Sequence, residues 1–264
     1  MKTSNPATGG GCPLTAPPLY ETQALRQATG TVLRPGGLSL LNHALDKVRW
    51  QAGARILDVG CGTGASVAWL RRHHGLQATG IDPSRKLVEE ARKAHPGLPV
   101  LRGRAESLPF GDVSLDGLLC ECVLSLVPDA SQALKEFYRV LRPGGLMILS
   151  DIYRRAEPAS DAPPGQSCLS GAVGKTTLLQ RLQDVGWRVR LWEDHSLLLA
   201  ELAGRLIFQH GSLAAFWRQF LPDGAAREMM TAVKIMRPGY CLLIAEKVPC
   251  RDGEKLRLSD AISR

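Results

Sequence analysis

Between Ala54 and Gly64 an apolar, β-branched run, Ile56-Leu57-Asp58-Val59, meets glycines at alternate positions 60, 62 and 64, and an amphipathic run follows from Ala65 to His74. This is the pattern of a strand, a tight turn and a helix, and it constrains the fold more than any other stretch. Gly60 and Gly62 carry no Cβ, so the turn's free N–H groups can approach a bound nucleoside closely. In α/β sheets such turns lie at the carboxyl ends of the strands, where nucleotides bind. Gly60-x-Gly62-x-x-Ala65 also meets the dinucleotide fingerprint, which alone leaves a nicotinamide-dependent hydride transfer open. Asp58 argues otherwise: a carboxylate two residues before the first glycine suits a ligand with a cationic amino-acid end better than a pyrophosphate.

Downstream, strands and helices alternate. Ala78–Ile81 reads as a second strand ending at Asp82-Pro83-Ser84, followed by a helix over Arg85–Ala94. Asp82 falls about twenty residues past the glycine turn, where an acid that holds ribose hydroxyls is expected. Short apolar runs at 99–102, 115–122 and 146–152 read as further strands, with a helix over 129–141 ended by Arg142-Pro143-Gly144-Gly145. The order βαβα predicts a parallel sheet with right-handed crossovers. Later segments read as a helix over 176–185, a strand over 188–192, helices over 197–220 and 225–236, and a closing strand over 240–246. Gly171 to Thr176 imitates a phosphate loop but has Leu169 where that motif needs a glycine.

These segments resemble the class I S-adenosylmethionine-dependent methyltransferases: the acid and glycine spacing of 58–64, the Leu108-Pro109-Phe110 loop and Val140-Leu141-Arg142-Pro143-Gly144-Gly145 carry the likeness. The resemblance implies a Rossmann-like α/β fold, a seven-stranded methyltransferase sheet, mostly parallel with the last strand antiparallel. It also implies S-adenosyl-L-methionine as cofactor, held by Asp58, Gly60, Cys61, Gly62, Asp82 and Pro83. Arg104 stands where the family often has Asp, so the adenine contact is expected on the backbone of Ala105 and Glu106. The domain expected spans 23–250, with 196–238 a helical insertion over or beside the cleft, a flexible tail over 1–22 and a polar tail over 251–264.

The acceptor is read from the cysteines. Cys120-Glu121-Cys122 through Pro128-Asp129 and, separately, Cys168-Leu169-Ser170-Gly171-Ala172 are similar to the substrate-cysteine segments of arsenite methyltransferases. Glu121, which replaces their usual Asn, is placed beside the cofactor, and Cys12 is the one counterpart of their amino-terminal cysteines. On that reading Cys122 and Cys168 are catalytic thiolates holding a small thiophilic acceptor, arsenite first, with selenium or a small thiol as related cases. Period-two alternation puts Cys120 on the face of Cys122. Other readings are a C- or O-methyltransferase of the quinone-biosynthesis type, and a cofactor-binding protein without turnover.

Composition narrows the partners. The 264 residues carry a formal charge of +8 without aromatics interleaving the basic pairs, so a small-molecule substrate is expected and nucleic acid is not. No apolar run reaches a membrane span's length, and without a leader pattern the expected location is cytoplasmic. Seven cysteines with no Cys-x-x-Cys pair predict reduced thiols and no metal site. His73, His74, His95, His195 and His210 read as surface residues.

Overall fold

The computed structural model describes residues 18–30, 32–156, 163–165 and 167–248. The expected tail over 251–264, most of the one over 1–22, and Cys12 and Cys250 lie outside these residues. Seven strands form one sheet: β1 (Arg55–Val59), β2 (Gln77–Asp82), β3 (Val100–Arg102), β4 (Leu115–Glu121), β5 (Leu141–Arg154), β6 (Trp187–Asp194) and β7 (Pro238–Lys247). Their order is β3-β2-β1-β4-β5-β7-β6. The first five pair in parallel, and β7 runs antiparallel between β5 and β6. This is the seven-stranded sheet that the resemblance implies. The order reverses between β1 and β4, which opens a crevice at their carboxyl ends.

Alternation along the strands divides the core. Ile56, Leu119 and Ile148 face one layer, while Leu57, Val59, Leu118 and Met147 face the other. The first layer packs on α2 (Gly37–Val48), α3 (Ala65–His74) and α4 (Arg85–Ala94). The second packs on α5 (Ala130–Val140) and α6 (Lys175–Val185), whose Leu134, Phe137 and Leu182 are fully buried. Both faces are covered, as a parallel sheet requires.

Two segments differ from expectation. Arg142 to Gly145 does end α5, but the backbone continues as strand: Leu141 already pairs with Leu115, and the register then shifts before Gly117 meets Leu146. The helix expected over 197–220 is two, α7 (Ser196–His210) and α8 (Leu213–Trp217), before α9 (Asp223–Met236). Gly211 turns with φ of 81° and the Ser212 hydroxyl accepts from the Ala215 N–H, so a stop and a start stand side by side. Ahead of the sheet come a short turn (Leu19–Glu21) and α1 (Gln23–Thr29), which packs on α7. No helix among the described residues is long and apolar enough to cross a membrane.

Candidate functional site

A cleft of about 580 Å³ opens at the carboxyl ends of β1, β2 and β4. The glycine turn forms its floor because it is clamped to the end of β2: the Gly60 and Cys61 N–H groups both donate to the Ile81 carbonyl, at 2.7 and 3.1 Å. A Cβ on Gly60 would stand 2.2 Å from Val123 Cγ2, whereas one on Gly62 would meet only Leu33 at 3.9 Å and point into the cleft. One glycine is thus fixed by packing, and the other leaves the floor open.

Asp82 follows the turn at the expected place. Its carboxylate accepts from the Gly62 N–H at 2.9 Å and the Ser84 N–H at 2.8 Å, so each oxygen keeps lone-pair capacity toward the cleft. Ser84 caps α4 through the Leu87 N–H and donates to Glu21 at 2.7 Å. Lys86 donates to the Glu21 carbonyl, so the 19–21 turn is pinned across the rim and Tyr20 lines the cleft.

Gly60, Cys61, Gly62, Asp82, Pro83, Ala105, Glu106, Glu121 and Cys122 all line the cleft; Asp58 and Cys168 lie behind its wall. Asp58 is buried at the end of β1 and accepts no side-chain hydrogen bond from a described residue. Burial, then the charges of Glu121 and Asp82, push its carboxyl well above the ordinary range, against the pull of Arg34. Burial also raises Glu121 and Asp82. The cleft is therefore rich in carboxylates with one buried cation among them.

That cation is Arg34, the first residue of an Arg34-Pro35-Gly36-Gly37 run that carries no local signal of a binding role. Its Nη2 lies 2.7 Å from Glu121 Oε2 and donates to Ser66 Oγ at 3.2 Å, while its buried Nε has no hydrogen-bond partner among the described residues. A second unforeseen pair lies at the far wall. Ser125, which lines the cleft, donates its hydroxyl to Asp151 Oδ1 at 2.6 Å and its N–H to Oδ2 at 2.8 Å. Burial lifts Asp151 to about 6 despite these bonds. The 167–174 loop closes on this wall so tightly that a Cβ at Gly171 would stand 1.8 Å from the Ser125 carbonyl oxygen.

The cysteines do not form the expected thiolate site. Cys122 and Cys168 do meet, but their contact and burial push the Cys122 thiol well up, and nearby Asp151 pushes it the same way. Both are thus neutralising influences where a metalloid ligand needs a lowered pKa. Cys120 does not share the Cys122 face: it packs in the α5 layer, and alternation ends because Cys122 turns out of the strand with φ of 58°. Cys241 is buried in β7, its thiol pushed up to about 12. Among the described residues, the group of three or more potential metal ligands whose atoms converge is His43, Glu193 and His195, with no cysteine.

Comparison with known proteins agrees. Residues 57–149 match the methyltransferase domain family. Phthiotriol/phenolphthiotriol dimycocerosates methyltransferase 1 of Mycobacterium ulcerans (strain Agy99) is 36% identical over 124 residues, covering 46% of this chain and 44% of that protein. The O-methyltransferase resE of Aspergillus sclerotiorum is 41% identical over 108 residues, covering 38% and 40%. The chain therefore spans less than half the length of these curated relatives. Among solved structures, the [4+2]-cyclase SpnF is similar with a TM-score of 0.66 and 25% identity, covering 91% of this chain and 89% of that one. Relatives named as a phthiotriol/phenolphthiotriol dimycocerosates methyltransferase and an O-methyltransferase, together with a Cys122 thiol pushed up by its surroundings, overturn the expectation of an arsenite-like acceptor held by Cys122 and Cys168.

Proposed function

We propose that this chain, which has the class I S-adenosylmethionine-dependent methyltransferase fold, transfers a methyl group from S-adenosyl-L-methionine to oxygen or carbon of a small organic acceptor. The observation that carries the reading is the acidic setting of the cleft: Asp82 and Glu121 in its lining and Asp58 buried behind it, against one buried cation, above an open glycine turn. Such a floor suits a ligand that brings positive charge, and it disfavours a pyrophosphate. The Arg34 Nε, without a partner among the described residues, suits a carboxylate beside that charge, the other half of an amino-acid end. Asp82 is suited to ribose hydroxyls, and the backbone at Ala105 and Glu106 to the base.

Bound there, the cofactor supplies a methyl group already activated on a sulfonium. The protein's task is then to exclude water, hold the acceptor in line and accept its proton. Ser125 and Asp151 fit the last role. An acceptor hydroxyl gives its proton to Ser125 Oγ as the Ser125 proton passes to Asp151 Oδ1, and the acceptor oxygen, or the ring carbon conjugated with it, becomes nucleophilic. A carboxylate lifted to about 6 is ionised at neutral pH yet basic enough to take that proton. The cysteines enter no step.

Calorimetric titration with S-adenosylmethionine tests the cofactor site. Asp82→Ala is expected to weaken binding at least about tenfold, the effect of one good charge-assisted hydrogen bond. Because Asp58, Asp82 and Glu121 are all raised, a cationic ligand must draw protons off them. Affinity should rise with pH across the acid range, with proton release measurable in buffers of different ionisation heat. Binding that is independent of both Asp82 and pH would remove this reading of the cleft.

A further inference from the structure

Away from the cleft, a second constellation joins three segments. His43 lies on α2, Glu193 in β6, and His195 precedes α7. His43 Nε2 stands 2.7 Å and His195 Nε2 2.8 Å from the same oxygen, Glu193 Oε2, and one ligand atom from each residue falls within 4.8 Å of the others. His43 and Glu193 are 150 residues apart, so tertiary packing and not a local turn brings them together. The two rings meet edge to face with centroids 5.6 Å apart.

We propose that His43, Glu193 and His195 bind a divalent transition-metal ion, zinc by ligand class, which ties α2 to the corner between β6 and α7. Two imidazole nitrogens and one carboxylate suit an ion of borderline softness and fit Mg²⁺ or Ca²⁺ poorly. The ion takes the place of the hydrogens now shared with Glu193, and nitrogen and oxygen separate to about 3.3 Å, the edge of a tetrahedron with bonds near 2.0–2.1 Å. Side-chain exposures of 42% for His43, 27% for Glu193 and 24% for His195 leave room for that shift and for a water as fourth ligand.

The surroundings hold the site from two sides. The His195 N–H donates to the Tyr240 carbonyl at 2.7 Å, which anchors the corner to β7. On the other side, α2 continues from the Val32-Leu33-Arg34 segment that lines the cleft, and a Cβ on Gly36 would stand 2.7 Å from Leu198 of α7. An ion here fastens the cleft-lining segment to the α7 corner. Its binding is independent of methyl transfer.

The test uses the full chain, stripped with a chelator and titrated with Zn²⁺ and, for spectroscopy, Co²⁺. One ion per chain is expected, with an upward Tm shift on the order of 5 °C at about 100-fold excess over Kd. His43→Ala and His195→Ala should each weaken binding at least about tenfold and remove the shift. Co²⁺ should show visible ligand-field bands without thiolate-to-metal charge transfer. Should His195→Ala fail to fold, His43→Ala, on the exposed side of α2, carries the comparison. Absent binding, or Co²⁺ bound with a thiolate signature that persists in His43→Ala, overturns the proposal; the second result would put the ion on cysteines.

Discussion

Asp151→Asn is expected to lower kcat on a hydroxyl acceptor by about 10²–10⁴-fold, the range for losing a positioned general base, with little change in the Kd for S-adenosylmethionine. The reason is geometric: Asp151 is buried behind the cleft wall and reaches the acceptor only through Ser125, whose hydroxyl it holds at 2.6 Å. The pH profile separates this role from a structural one. A base that must be ionised, with its carboxyl near 6, gives the parent an acid limb in which rate rises with pH through about 6 and then levels. Asn does not titrate, so the residual activity of the variant should lack that limb. Ser125→Ala should resemble Asp151→Asn in rate. A variant of Asp151 with near-parent kcat and an unchanged acid limb would place the proton acceptor elsewhere.

Gly60→Ala should abolish measurable cofactor binding and destabilise the fold by about 2–4 kcal/mol, combining the left-handed backbone penalty with overpacking. Gly60 sits at φ of 71°, and an added Cβ would lie 2.2 and 2.9 Å from the two Val123 methyl carbons. Either the turn lifts, pulling the Gly60 and Cys61 N–H groups from the Ile81 carbonyl, or Val123 is driven toward the cleft. Thermal unfolding should show a Tm loss on the order of 10 °C. Adding Val123→Ala removes both methyls and leaves its Cβ at 3.1 Å, so the double variant should regain the overpacking part and keep the backbone part. If Gly60→Ala costs the same with and without Val123, the contact is not what fixes this glycine.

The sequence made the sheet legible because its signals are local and repeated. Gly60 to Gly64 marks one turn, Asp82 lies one βαβ spacing beyond it, and Arg142 to Gly145 marks the end of α5. Each is dictated by backbone chemistry within a few residues. The cleft's electrostatics were not legible in that way. Arg34 has no local pattern for its role: it becomes a buried partner of Glu121 only because the chain ahead of α2 passes over the glycine turn. Tyr20 lines the cleft because Ser84 and Lys86 hold Glu21, contacts more than sixty residues apart in sequence. Asp151 and Ser125 stand on neighbouring elements with no shared motif.

The cysteine reading failed for a physical reason of the same kind. Cys122 and Cys168 were paired by local patterns, and the fold does bring them into contact. A thiolate, however, needs nearby positive charge, and here the neighbours are a second thiol and the Asp151 carboxylate. The alternation that joined Cys120 to Cys122 assumed that the strand continues. It stops at Glu121, and Cys122 takes a left-handed conformation. Side-chain type and spacing named the chemistry of sulfur, while the surrounding field decided its protonation.

Methyl transfer to an organic oxygen or carbon is read out by incubating the protein with methyl-labelled S-adenosylmethionine and a panel of small phenols, quinols and aliphatic alcohols. Label is expected in an O- or C-methylated product, formed by the parent and by a Cys122→Ser, Cys168→Ser double variant alike, and largely lost in Asp151→Asn. Cofactor bound with no label leaving it for any acceptor, as fits a fold that also serves a cyclase, would contradict methyl transfer while sparing the cofactor site. Turnover that vanishes with the two cysteines would contradict the reading of them as bystanders.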